Sequence, residues 1–498
     1  METFELLAAG FAGALTPANL AFALIGCILG TLIGVLPGLG PSAGTAILIP
    51  LTFQLDPTGA IIMLAAIYYG AMYGGTITSV LINVPGEAAS VITCIDGHQM
   101  AKQGRAGTAL GIAAIGSFIG GTVAAIAMVG IAAPLSRFAL SFGPPEFFGL
   151  MLAGLCLVTS LSSRNVLAGV LMTICGLLLA LVGIDPVRGA PRFTFDMPQL
   201  YDGVGFIPVV MGLFGIGEIL ATMEAKVGTV LNTKITGLLP SREEWRRSWR
   251  AICRGTGIGF FLGLIPGVGS IIPTFMAYIV EKRISKSPER FGNGAIEGVA
   301  APETANNAYA NAAMVPLLTL GIPSSPTIAV LMGAFIINGL TPGPFLFQER
   351  PDLVWTVIAS FFIGNIILIA LNLPLVGLWA KILQVPFHYI AVGTLLFCIV
   401  GAYSINQSTF DVWLMLGFGV IGYLLRKLDL PLAPAVLGLI LGPMLEKSLR
   451  TSLEMSAGDF SIFFTRPISL GLLVLCVLIL IASAMKLAPK EVREASAD

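Results

Sequence analysis

The chain has 498 residues, of which 56% are hydrophobic and only 11% are charged. A soluble domain carries about 25% charged residues, so this composition excludes a string of water-soluble domains and points to a lipid bilayer. Net charge is zero, from 27 basic and 27 acidic residues, which leaves no electrostatic footing for nucleic acid.

The first 19 residues contain no Lys or Arg, so no cleaved leader is expected. From Phe22 to Met485 apolar runs recur, among them 60–67, 166–182, 354–371 and 468–485. A helix needs about 20 residues to cross about 30 Å of hydrocarbon, which predicts roughly ten to fourteen membrane segments, several interrupted by Gly or Pro. The expected fold is therefore an all-α polytopic membrane protein. Charges fall between the runs because each one at mid-bilayer costs about 2.5–3.5 kcal/mol. The cysteines (Cys27, Cys94, Cys156, Cys175, Cys253, Cys398, Cys476) make no C-x-x-C pair and read as small apolar packing residues.

The first helix break is Gly34-Val-Leu-Pro37-Gly38-Leu-Gly40, followed by Ser42 and Thr45. Next comes an unusually polar helix segment with Thr76, Thr78 and Ser79, running into a second break over 83–90 that holds Asn83, Gly86 and Glu87. Asp96 follows beside His98, Lys102 and Arg105, which suggests a hydrated position at the interface. The segment 226–254 then concentrates basic residues (Lys226, Lys234, Arg242, Arg246, Arg247, Arg250, Arg254) against Glu243 and Glu244 alone, which places it in the cytoplasm. Ser241 and Glu244 have capping-box spacing and Trp245 and Trp249 share one face, predicting a short interfacial helix. A third break, Gly263-Leu-Ile-Pro266-Gly267-Val-Gly269, leads to Ser270 and Thr274. A second polar stretch carries Glu303, Thr304, Asn306, Asn307 and Asn311, and a fourth break spans 321–327 with Ser324 and Ser325.

These elements repeat in order. The Pro-Gly element of the first half recurs 229 residues later, and Val84-Pro-Gly-Glu87 has a looser echo in Ile322-Pro-Ser-Ser325, 238 residues on. Ser160-Leu-Ser162 before an apolar run to Asp185 resembles Tyr403-Ser-Ile405 before a run to Asp429. The division is a first membrane repeat over 1–225, a basic linker over 226–254 and a second repeat over 255–498. After Pro266-Gly267 the chain exits into Lys282, Arg283, Lys286 and Arg290, whereas the equivalent exit after Pro37-Gly38 meets only Asp56. Opposite charge on equivalent loops is the signature of inverted-topology repeats, each with a re-entrant hairpin tipped by Pro-Gly. The tail, with Lys486, Lys490 and Arg493, runs against this scheme, because an odd number of spans per half would place it outside.

Irregular backbone at membrane depth is stable only where protein buries it or a cavity wets it. In transporters such breaks hold substrate and coupling ion, because helix N-termini attract anions and loose carbonyls attract cations. The candidate substrate-binding residues are therefore Gly38, Gly40, Ser42, Thr45, Asn83, Gly86, Gly267, Gly269, Ser270, Thr274, Asn306, Asn307, Ser324 and Ser325. The candidate ion-coupling residues are Glu87, Glu303, Thr76 and Asn311. No Arg falls in the breaks, so an anion would be held by backbone dipoles and hydroxyls with a cation as countercharge. Gly-x-x-x-Gly pairs at 30/34, 70/74, 116/120 and 259/263 are assigned to helix packing. Gly40-Pro-Ser42-Ala-Gly44 matches the hydrolase G-x-S-x-G pattern, but it lies at a membrane break in a chain with two histidines, so an enzyme is not expected. No Walker A sequence occurs, and paired broken helices favour alternating access over an open channel.

Taken together, Gly34–Pro41, Tyr69-Gly-Ala-Met-Tyr-Gly-Gly-Thr76, Asn83-Val-Pro-Gly-Glu87, Asp96-Gly-His-Gln-Met-Ala-Lys102, Gly263–Thr274, Ala301-Pro-Glu-Thr-Ala-Asn-Asn307 and Gly321–Pro326 resemble the large membrane subunit of tripartite tricarboxylate transporters. The resemblance implies a multi-pass permease of the bacterial inner membrane, working with a small membrane subunit and a periplasmic solute-binding protein. It implies uptake of small carboxylates by secondary transport, commonly with Na⁺ and with no resident cofactor. An elevator movement of the hairpins is the expected mechanism. A proton-coupled symporter is the alternative, and a membrane-embedded enzyme a more distant one.

Overall fold

A computed structural model describes residues 2–36, 39–161, 166–185, 188–224, 235–383 and 385–487. Helices dominate. Eight are long and apolar enough to cross a membrane, and six shorter apolar helices accompany them among the described residues. The only strands among the described residues are β1 (Gly183–Ile184) and β2 (Pro191–Arg192), a two-residue antiparallel pair in a loop.

The first half runs α1 (Glu2–Ala14), α2 (Pro17–Val35), α3 (Pro41–Leu48), α4 (Pro57–Ile82), α5 (Val91–Lys102), α6 (Ala106–Ala139), α7 (Pro144–Leu161) and α8 (Val166–Ala180). It closes with α9 (Phe206–Val210) and α10 (Gly217–Glu224), joined by a π-helical stretch, Met211–Ile216. The second half runs α11 (Arg242–Gly263), α12 (Ile271–Ile284), α13 (Glu297–Ala312), α14 (Met314–Leu320), α15 (Pro326–Ile337), α16 (Leu346–Glu349), α17 (Pro351–Asn372) and α18 (Val376–Ile382). It ends with α19 (Phe387–Asn406), α20 (Thr409–Lys427), α21 (Leu432–Met455), α22 (Ile462–Thr465) and α23 (Pro467–Leu487). Proline opens many of these helices, where its missing N–H costs nothing and its fixed φ already suits the first turn.

The order α2–tip–α3–α4–break–α5–α6 recurs as α11–tip–α12–α13/α14–break–α15–α17. Both breaks stop their helix with a left-handed residue, Asn83 at φ 57° and Gly321 at φ 69°. In each half the helix before the tip packs on the helix before the break, α2 on α4 and α11 on α13. Glycines set that contact. A Cβ on Gly70 would lie 3.0 Å from the Cys27 carbonyl, and one on Gly259 would lie 2.8 Å from Ala305 Cα. Small residues bring backbones into contact, which drives helix association where lipid removes the hydrophobic force. The halves also exchange elements. α8 packs on α21, α20 packs on the 206–224 segment, α3 packs on α15, and α12 packs on α5. α4 is buried from Gly59 to Ile82, with Thr76, Thr78 and Ser79 near its end, and lies at the centre of the core.

Three features differ from the sequence expectation. The capping box forms as expected, with Glu244 N–H donating to Ser241 Oγ at 3.3 Å and Ser241 N–H to Glu244 Oε2 at 2.8 Å. The helix it starts is not a short separate one. It runs 22 residues to Gly263, so the boundary at 254 falls inside a helix. Two of its basic residues are braced, not only solvated: Arg247 pairs with Glu297 at 2.7 Å and Arg254 with Glu281 at 2.5 Å. Asp96 is fully buried, not hydrated. It accepts hydrogen bonds from Tyr278 Oη (2.8 Å) and the backbone N–H groups of Gly292 (2.9 Å), Gly294 (2.8 Å) and Ala295 (2.8 Å). Four donors offset the loss of water around the carboxyl, and their sequence distance hid them.

Lys490 and Arg493 lie outside the described residues, but α23, which leads to them, is placed by its contacts with α7. Arg466, just before α23, pairs with Glu146 at the start of α7 (2.7 Å), while Ser483 bonds Ser160 at the end of α7. α23 therefore lies alongside α7 and finishes at the opposite end of the bundle. Lys427 pairs with Glu224 at 3.1 Å, and Arg450 with Asp185 at 2.9 Å at the other end. The end of α23 thus lies on the same side as the basic linker.

Candidate functional site

Both hairpin tips and both breaks face a single interior cavity of about 340 Å³. Tip one contributes Pro41 and Ser42, tip two Gly267 to Ile272, the first break Glu87 and Ala88, and the second break Ser325, Pro326 and Thr327. Val158 of α7, Met72 of α4 and Pro431 to Ala433 at the start of α21 complete the wall. Tips from the two halves meet because each terminal helix packs on the opposite half.

The wall is built from helix starts. Gly40 caps α3, Ser270 caps α12, Ser325 caps α15 and Pro431 caps α21. Each start leaves unpaired N–H groups and about half a positive charge. Ser325 Oγ satisfies one of them by accepting from Ile328 N–H at 3.3 Å. Ser42 Oγ and Thr327 Oγ1 hydrogen-bond at 2.8 Å and join tip one to the second break. Tip two is tied to the same break by Gly269 N–H, which donates to the Ser324 carbonyl at 3.3 Å. Gly267 (φ 82°) and Gly269 (φ 71°) sit in the left-handed region, so the tip needs glycine there. No Lys, Arg or His lines the cavity among the described residues, and Glu87 is its one carboxyl.

Behind Glu87 lies a buried polar layer. Asn306 Nδ2 donates to Glu87 Oε1 at 2.6 Å. One turn earlier on α13, Glu303 accepts from Thr76 Oγ1 at 2.5 Å and from Thr93 Oγ1. Ser117 Oγ donates to the Glu303 carbonyl at 3.2 Å and accepts from Asn307 Nδ2 at 2.7 Å. Asn311 Nδ2 donates to the Asn307 carbonyl at 3.0 Å. Every hydrogen bond to the Glu303 carboxylate comes from the first half, so this layer fastens the two halves together.

The structure gathers Ser42, Glu87, Gly267, Gly269, Ser270 and Ser325 at the cavity, with Gly40 at the α3 cap beside it and Asn306 one bond behind. Gly38 lies outside the described residues. The remaining candidates sit elsewhere, for identifiable reasons. Asn83 is exposed and serves as the left-handed cap of α4. Gly86 is packed against backbone, where a Cβ would lie 2.6 Å from Gly75 Cα. Thr45 is fully buried on α3 with no partner for its hydroxyl, and Thr274 Oγ1 turns back to the Ile271 carbonyl at 2.8 Å. Ser324 is buried and offers its backbone, not its side chain, to tip two. Thr76, Asn307, Asn311 and Glu303 belong to the buried layer, away from the cavity wall. Sequence reading missed Pro431 to Ala433 and Val158. The Pro431-Leu-Ala-Pro434 start of an apolar run was the available signal for the first group.

A polytopic helical protein whose interrupted helices meet at an interior cavity is built as a membrane permease. The profile of the tripartite tricarboxylate transporter TctA family matches residues 20–437. The "Uncharacterized 52.8 kDa protein in TAR-I ttuC' 3'region" of Agrobacterium vitis is 45% identical over 490 residues, 98% of this chain and 98% of that protein. The "Uncharacterized protein in TAR-II ttuC' 3'region" of the same organism is 46% identical over 231 residues, 46% of this chain and 96% of that protein. No solved structure matches the chain. The chain belongs to the tripartite tricarboxylate transporter TctA family, a family of secondary-transporter permeases.

Proposed function

We propose that this chain carries a small dicarboxylate or tricarboxylate across the bacterial inner membrane, driven by a Na⁺ gradient. The solute is delivered by a periplasmic binding protein, and a small membrane subunit completes the complex. The observation that carries this reading is the cavity wall: four helix starts and the hydroxyls of Ser42, Ser325 and Thr327 converge with no basic side chain. Aligned N–H groups bind carboxylate oxygens without fixed cationic partners, and a hydroxyl can donate to the same anion. The start of α11 and the residues before it carry the basic linker charge, which favours that side as cytoplasmic.

Reconstituted in liposomes with its small subunit and binding protein, the complex is expected to accumulate labelled citrate or a dicarboxylate under an inward Na⁺ gradient, and not when the binding protein is omitted. Uptake on a pH gradient alone would move coupling to the proton reading. Glu87 favours that second reading, because it is the one carboxyl in the cavity wall. Glu87→Gln abolishes pH-driven uptake if it carries the proton. No uptake under either gradient contradicts both readings.

Alternating access is proposed to move the hairpins as a unit past the remaining helices. Ile47 on α3 and Cys398 on α19 both lie beside Gly215, at 3.4 and 3.5 Å from the position of an added Cβ. A crosslink between Ile47→Cys and Cys398 is expected to arrest uptake. Unchanged uptake in the crosslinked protein argues against an elevator.

A further inference from the structure

Behind the cavity lies a second pocket, of about 10 Å³, between α4, α6 and the junction of α17 with α18. That is the room of one water-sized particle. Its polar lining is Tyr73, Thr76, Ser117 and Asn372. Asn372 is 6% exposed, and its Oδ1 is buried with no hydrogen-bond partner. Its Nδ2 is occupied by the Leu368 carbonyl at 3.0 Å and Thr31 Oγ1 at 3.4 Å. An unpaired buried carbonyl oxygen carries a desolvation cost unless something in the pocket meets it.

The three hydroxyls have each spent their proton elsewhere. Tyr73 Oη donates to Asn365 Oδ1 at 3.0 Å, Thr76 Oγ1 to Glu303 Oε2 at 2.5 Å, and Ser117 Oγ to the Glu303 carbonyl at 3.2 Å. A hydroxyl has one donor and two acceptor sites, so what remains free on all three is lone pairs. The hydroxyls lining the pocket therefore have lone pairs and no proton to offer it, beside the unpaired Asn372 Oδ1. A water could supply two protons to such a set, whereas a small monovalent cation is met by lone pairs alone. Glu303, 1% exposed and one hydroxyl away, is held by Thr76 and Thr93 and, once ionised, would supply countercharge to a cation in the pocket.

We infer that this pocket is a monovalent-cation site, matched to Na⁺, with Tyr73, Thr76, Ser117 and Asn372 as oxygen ligands and Glu303 as the adjacent negative charge. The inference rests on the proposed ion-driven uptake and assigns the coupling ion its place. It also accounts for coupling to substrate. Glu303 and Asn306 lie one turn apart on α13, and Asn306 holds Glu87 in the cavity wall. A cation that fixes Glu303 through Thr76 thereby fixes the wall on which the carboxylate binds.

The test is ²²Na⁺ binding to the purified full-length chain in lipid nanodiscs, with choline as the replacing cation, alongside Na⁺-dependent uptake by the reconstituted complex. The wild type is expected to bind ²²Na⁺ saturably. Asn372→Leu and Thr76→Val are expected to weaken binding at least tenfold and to raise the half-saturating Na⁺ for uptake in parallel. Asn372→Asp, which keeps an oxygen ligand and adds charge, is expected to restore or tighten binding, a result that a purely structural role would not give. Ser404→Ala, on the exposed end of α19, is the matched control with unchanged affinity. No saturable ²²Na⁺ binding by folded wild type overturns the site. Na⁺-driven uptake whose half-saturation is unmoved in Asn372→Leu and Thr76→Val also overturns it, while leaving Na⁺ coupling intact. Uptake driven by protons alone overturns the coupling reading itself.

Discussion

Asn306→Leu is expected to lower carboxylate uptake by about tenfold to a hundredfold while leaving the protein folded. Asn306 Nδ2 donates to Glu87 Oε1 at 2.6 Å, and both residues are buried. Leaving a buried hydrogen-bonding group without its partner costs about 1–3 kcal/mol, and each 1.4 kcal/mol is a factor of ten. Leucine shares asparagine's branching at Cγ but is larger, so Asn306→Ala, which adds no bulk between α13 and α4, is measured beside it as the packing control. What changes is the position of Glu87, which loses its donor and the geometry of the cavity wall. Initial rates of labelled carboxylate uptake, with detergent size-exclusion profiles as a folding control, measure the effect. Uptake within twofold of wild type would remove the Glu87–Asn306 pair from the transport site.

Gly259→Leu is expected to prevent assembly of a monodisperse protein. A Cβ at this position would lie 2.8 Å from Ala305 Cα and closer still to the Ala305 carbonyl. The neighbours are backbone, so nothing flexible can move aside. Overpacking costs about 1–3 kcal/mol where side chains can adjust, and more where a helix must shift. Shifting α11 from α13 also disturbs tip two, which α11 delivers to the cavity. Gly257 provides an internal comparison two residues earlier. It has open space around it, and Gly257→Leu is expected to behave like wild type. The fraction eluting as a single size-exclusion peak separates the two. Equal behaviour of the two variants would mean that α11 and α13 are not held by backbone contact.

The residues legible in the sequence were those whose role is local. Pro266-Gly267 and Ser325 announce a helix end or a helix start by their own backbone chemistry, and the spacing between such signals exposed the repeat. Residues whose role depends on a distant partner were read less well. Asp96 looked like a surface carboxyl because its donors are about 200 residues away, at Gly292, Gly294 and Ala295. Thr93 and Asn372 carried no local mark, and only the packing of α5 and α17 brings them to the buried polar layer. Asn83 and Gly86 were correctly placed at a break, but the break uses them for backbone geometry and turns Glu87 inward instead. Composition also misled at α11, whose basic start and apolar end form one helix because the Ser241 capping box, the ion pairs to Glu281 and Glu297 and the glycine row to Ala305 all lie along it.

The central claim is that the cavity between the two tips is where the carboxylate is carried. Its most direct measurement uses Ser42→Cys in a background with the seven native cysteines replaced, following alkylation of the new thiol in the reconstituted complex. The account predicts that saturating citrate or transported dicarboxylate slows alkylation at least tenfold, and that a non-transported monovalent anion does not. Alkylation at the same rate with and without a carboxylate that the same liposomes accumulate would place the solute elsewhere and contradict the account.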